Sequence, residues 1–161
     1  TLTEGALAPV WDAYTAERTL QAIGLTFAIN LVVGSLLSIT LPSLLLPFSG
    51  LLVAGIRALT WGVLFSPRIP PGIGPAELAM GFLLVVLLLL EGQAYVLAAL
   101  GAYLHGRVFL WPRSVGETKL GLGYWHGLKV QARIYLLVAA VLAVAALYEV
   151  MLALVALPAL R

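Results

Sequence analysis

Residues 78–104 read LAMGFLLVVLLLLEGQAYVLAALGAYL, and this stretch decides the fold. From Gly81 to Leu90 it is apolar on every side, with neither the alternation of a half-buried strand nor the single stripe of a soluble helix. A strand of a membrane barrel alternates over about ten residues. A helix, in contrast, satisfies its own backbone and can be apolar all round in lipid. Taken as one helix, Leu78 to Leu104 is about 40 Å long at 1.5 Å per residue. The hydrocarbon core of a bilayer is about 30 Å thick, so tilt, a kink or projection beyond it is expected. A break at Glu91-Gly92 is the alternative, and would raise the number of spans from four to five.

Working outward, the same reading predicts an all-α polytopic transmembrane bundle with spans at about 20–39, 44–65, 77–104 and 134–157. Thr40-Leu-Pro-Ser43 is expected to end the first span, because proline removes a backbone donor and disfavours helix in the residue before it. Ser66 to Pro75 holds four prolines and two glycines, which fixes a loop after the second. Residues 1–19 read as an interfacial amphipathic lead-in, with Leu7, Trp11 and Tyr14 at helical spacing, and residues 20–161 as a single transmembrane domain. The leading segment lacks the basic, apolar and small-residue order of a signal peptide. Residues 105–133 read as a loop whose later part, 118–133, is a second interfacial helix. That loop carries Arg107, Arg113, Lys119, Lys129 and Arg133, against Arg68 alone in the loop between spans two and three, so the positive-inside rule places it in the cytoplasm.

Composition sets the class. With 62% hydrophobic and 10% charged residues, a chain of 161 residues exposes more apolar surface than one soluble core can hide, and the bilayer is its first partner. Nine scattered basic residues against seven acidic ones form no basic cluster, which excludes nucleic acid. The absence of cysteine removes thiolate chemistry and disulfides. No P-loop, Gly-x-Ser-x-Gly or His-Glu-x-x-His occurs, and His105 and His126 have no clustered ligands, so neither an enzyme nor a metal or cofactor is expected.

Three ionisable residues, Arg57, Glu91 and Glu149, sit near the middle of apolar stretches. A charge at that depth costs about 2.5–3.5 kcal/mol on insertion scales, so such groups face a partner helix or a wet cavity. One reading pairs a glutamate with Arg57, supported by Asn30, Gln93, Tyr95 or Tyr148, and so locks the bundle. The other makes Glu91 and Glu149 a path for a cation or proton. Small residues suit close helix approach: Ala94, Ala98 and Gly101, continued by Ala102 and His105, share one face below Glu91, and Ala139, Ala143 and Ala146 share a face with Glu149.

The pattern Glu91-x-x-Ala94-x-x-x-Ala98-x-x-Gly101, with Pro112 and then Ala145-Ala-Leu-Tyr-Glu149, resembles the stage II sporulation protein M (SpoIIM-like) family of integral membrane proteins. Phe27-Ala-Ile-Asn30 and Ser49-Gly50 with Gly55 extend the resemblance from Phe27 to Glu149. Ser49 stands where that family tends to have Asn, and Leu87 to Leu90 replaces a Pro-His-Gly-like break, which favours a continuous helix here. The resemblance implies a helical bundle in the cytoplasmic (inner) membrane of a prokaryote, and the two glutamates as its marked residues. The function expected is non-enzymatic: a subunit or scaffold of a larger membrane complex, partnered by another copy of itself or by other membrane subunits. The alternative is a small homodimeric transporter or channel for a cation or proton.

Overall fold

Helix α1 runs from Thr19 to Leu45 in two windings. Thr19–Ala28 and Leu41–Leu45 are α-helical, and Ile29–Thr40 between them is π-wound. The computed structural model describes residues 18–66 and 72–159, with Pro9, Asp12, Ala13 and Ala16 of the leading segment, and side chains as far as Leu154. Helices α2 (Ser49–Leu64), α3 (Pro75–Leu110) and α4 (Leu120–Ala159) follow, with a 3-10 turn at Pro112–Val115 between the last two. The described residues contain no strand.

The π segment explains how α1 passes the proline expected to end it. An α-helical proline clashes with the carbonyl four residues back. Here that carbonyl belongs to Ser38, inside the wider i→i+5 winding, and Pro42 falls where α winding resumes. The helix therefore continues to Leu45 instead of closing near Ile39. Phe48 makes the turn into α2 at φ 69°, a left-handed conformation that costs a non-glycine residue about 1–2 kcal/mol. Aromatic packing offsets it: the Phe48 ring lies 5.8 Å from Tyr103 and 6.3 Å from Trp111.

Several expected boundaries are corrected. The second expected span, 44–65, is the sixteen-residue α2, about 24 Å long and short of a bilayer core. The third is α3, continuous through Glu91 and Gly92, so the five-span alternative fails. The expected loop 105–133 shrinks to 111–119, because α3 continues to Leu110 and α4 starts at Leu120 and absorbs the interfacial helix expected at 118–133. Hydropathy misplaced those ends because Arg107, Lys129 and Arg133 are exposed on the outer faces of regular helices. Most of the lead-in expected at 1–19 lies outside the described residues, but Ala13 is fully buried with Ala22 and Val150.

Three helices are long and apolar enough to cross a membrane: Thr19–Leu45, Pro75–Leu110 and Leu120–Leu154. Their outer surfaces are apolar, with Leu20 86%, Phe82 68% and Leu136 74% exposed. The core lies along the α3–α4 seam, where small and large residues exchange sides. In the middle, Ala94 and Ala98 of α3 receive Val138 and Leu142 of α4. Toward the 111–119 turn, Gly123 and Gly127 of α4 receive Val108 and His105 of α3.

Candidate functional site: a polar cluster at mid-bundle

The polar members of the cluster come from all four helices. Asn30 of α1 lies between two residues of α3: its Nδ2 donates to Glu91 Oε1 at 2.8 Å, and its Oδ1 accepts from Tyr95 Oη at 3.2 Å. From α4, the Glu149 carboxyl stands within hydrogen-bonding reach of Glu91. A bond between two carboxyl groups needs a proton between them, because an ionised carboxylate only accepts. Tyr95 approaches α1 this closely because residue 34 is glycine; a Cβ there would sit 2.6 Å from Tyr95 Oη.

Arg57 of α2 turns its guanidinium to α1. Nη1 donates to the Gly34 carbonyl at 2.7 Å and Nη2 to Ser38 Oγ at 3.1 Å, while Ser38 donates to the same carbonyl at 2.6 Å. The guanidinium carbon lies 4.4 Å above the Tyr95 ring, a cation–π contact, and Trp61 meets that ring edge-on at 5.7 Å. Arg57 is thus joined to the glutamates through Tyr95 and Asn30. A cleft of about 120 Å³ opens beside it, lined by Ala54, Ala58, Trp61, Gly92 and Val96.

The π winding explains why α1 carries polar groups on one side. At 3.6 residues per turn, residues five apart are separated by about 140° around an α-helix. The wider i→i+5 winding reduces that separation and brings them toward one side. Asn30, Ser35 and Thr40 are spaced in this way, and all three turn inward: Ser35 and Thr40 bond the same hydroxyl, Tyr135 Oη of α4, at 2.8 and 2.6 Å.

The remaining sequence-nominated residues distribute as follows. Tyr148 donates to the Leu83 carbonyl at 3.0 Å, pinning α4 to α3 outside the cluster. Gln93 is on the exposed outer face of α3 and takes no part. Ala94, Ala98 and Gly101 are buried at the α3–α4 seam. On α4 the expected small-residue face is displaced: Ala146 is buried, Ala139 half-buried and Ala143 exposed, while Val138 and Leu142 fill the seam. The physical reason is complementarity, since the small groove of α3 takes larger residues from its partner.

Two further polar residues are buried: His105, which the sequence places on the face of Ala94, Ala98 and Gly101, and Gln131, which it does not single out. His105 is 0% and Gln131 2% exposed, and neither ring nitrogen of the first nor either amide atom of the second finds a hydrogen-bond partner among the described residues. Each such atom forgoes about 1–3 kcal/mol relative to a paired one. Gln131 carries no signal in the sequence beyond lying one turn before Tyr135. Among the described residues no group of His, Asp and Glu is arranged to hold a metal.

The structure therefore defines an all-helical protein with three membrane-length apolar helices and a polar, charged cluster inside them. No family model matches the chain, and no curated protein or solved structure matches it either.

Proposed function

We propose that this is a multi-pass membrane protein without enzymatic chemistry, acting as a subunit or scaffold of a larger membrane complex. The observation that carries this reading is how the cluster uses its polar groups. Asn30, Tyr95, Arg57, Ser38 and Tyr135 all bond across helices of the same chain, which fits a lock on the bundle better than an open route. Small soluble mass and membrane-length helices with apolar outer faces agree with it. The SpoIIM-like resemblance adds a prokaryotic cytoplasmic membrane. Arg107, Arg113, Lys119, Lys129 and Arg133 gather where α3 meets α4, which favours a cytoplasmic position for that end. Native mass spectrometry of the protein extracted from its own membrane in mild detergent tests the reading. A stable hetero-complex supports it; a fully functional, strictly monomeric protein overturns it.

One observation favours a second reading. Glu91 and Glu149 meet inside the bundle, and two carboxyls in reach of one another can hold and release a proton. On this reading the protein is a small transporter or channel for a proton or cation, with Arg57 tuning the pair through Tyr95. Glu91→Gln and Glu149→Gln should then each abolish flux in liposomes, and unchanged flux in both removes the idea.

A further inference from the structure

The outer face of α3 carries one residue at odds with its surroundings. Gln93 lies at the middle of the helix, exposed between apolar neighbours, and its amide has no hydrogen-bond partner among the described residues. In a bilayer that places an amide at mid-depth, about 15 Å from either headgroup layer and beyond the reach of its side chain. A neutral amide there is satisfied by another helix or stays unpaired in hydrocarbon.

We propose that the chain pairs with a second copy of itself along α3, with the two Gln93 amides hydrogen-bonded across a two-fold axis parallel to the membrane normal. This deepens the subunit reading above and rests on the chain being embedded in a bilayer. Three observations fix the occupant. First, a glutamine amide has both donors and an acceptor, so two of them satisfy one another. Second, copies inserted with one topology hold Gln93 at identical depth, whereas any other partner needs its own polar group at that level. Third, the surface is shaped for a helix. Phe82, Val85, Leu89, Val96 and Leu100 recur every three or four residues on the same exposed face as Gln93. Gln93 and Gly92 line an apolar groove of about 480 Å³ with Leu88, Leu89, Val96 and Leu97. A glycine at that point allows the close approach that helix association in lipid relies on. An isologous contact of this kind closes on itself and leaves the opposite faces of α1 and α4 free for other subunits.

The absence of cysteine makes the test direct. The full chain is expressed in membranes with one added cysteine, Leu89→Cys or Val96→Cys on the α3 face, or Leu59→Cys or Leu136→Cys on exposed faces of α2 and α4. Membranes are washed with alkaline carbonate, oxidised with copper phenanthroline and resolved without reductant. Disulfide-linked dimers from the α3 positions but not from the controls are the expected result. Adding Gln93→Leu, a change on an exposed face away from the core, should weaken the dimer about three- to tenfold and lower the linked fraction at both α3 positions. Equal linking at the control positions, no linking at the α3 positions, or linking indifferent to Gln93→Leu each overturns the proposal. A chain released by the carbonate wash overturns the membrane reading itself, whereas a retained chain without α3 linking leaves that reading standing and removes only the dimer.

Discussion

The bundle is held by hydrogen bonds at one level and by shape at another. Around Glu91 and Tyr95, polar side chains from all four helices are joined through Asn30, Gly34, Ser38 and Glu149. Around His105 and Gln131, three to four turns along α3, the polar side chains are buried without partners among the described residues, and glycines bring the backbones together. Similar polarity therefore does opposite things. In the first region it specifies which helices meet; in the second it is a cost that close packing outweighs. The first should tolerate loss of a bond poorly, and the second should tolerate added volume poorly.

The largest effect is expected from volume. A Cβ on Gly127 would lie 3.0 Å from both the Cα and the carbonyl oxygen of His105, which are backbone and cannot swing aside. Gly127→Leu must therefore part α3 from α4 where no described hydrogen bond crosses the seam to hold them. Overpacking typically costs about 1–3 kcal/mol, and against immovable backbone the upper end of that range is expected. Thermal unfolding in detergent should show a lower midpoint or a chain that no longer folds, and a stability near that of the parent would remove the claim that shape holds this end.

Next comes loss of a bond. Asn30→Leu takes the donor from Glu91 and the acceptor from Tyr95 together. Each buried polar group left unsatisfied costs about 1–3 kcal/mol, and with two of them left by the change unfolding should register a loss of about 2 kcal/mol or more. Comparison with Tyr135→Phe sharpens the point. That change removes one hydroxyl shared by Ser35 and Thr40, all of them neutral groups, and should cost about 1 kcal/mol. If Tyr135→Phe proved the more damaging of the two, the cluster around Glu91 would not be the stronger constraint on α1.

The two regions were unequally legible in the sequence. Helix class followed from residues 78–104 because an apolar run on all sides has one solution in lipid. Asn30 and Glu91 could be nominated because an amide and a carboxyl inside apolar stretches stand out individually. Their partners could not all be read. The acceptor of Arg57 is a backbone carbonyl, which every residue carries, and the π winding that aligns Asn30, Ser35 and Thr40 leaves no trace in composition. The helix ends around Arg107 and Lys129 were missed because hydropathy detects lipid contact, and a helix continuing past it with a polar outer face looks like a loop. Gln131 was invisible for another reason: a glutamine among Lys129 and Arg133 reads as solvated until the facing Gly101 is known to cover it.

The smallest expected effect is also the most diagnostic. Gln131→Met keeps the length and flexibility of the side chain that packs against Gly101, and removes two polar atoms that have no partner among the described residues. Where a buried polar group is unpaired, an apolar group of the same shape is neutral or better. Gln131→Met should therefore leave the unfolding midpoint unchanged or raise it by an amount equivalent to about 1 kcal/mol. The same logic applied to Asn30 predicts the opposite sign, because there the amide is engaged at both ends. If Gln131→Met instead lost as much stability as Asn30→Leu, the amide would have a partner beyond this chain's own atoms. The two ends of the bundle would then be held by the same physics, and the contrast between bonded and shape-held regions would fail.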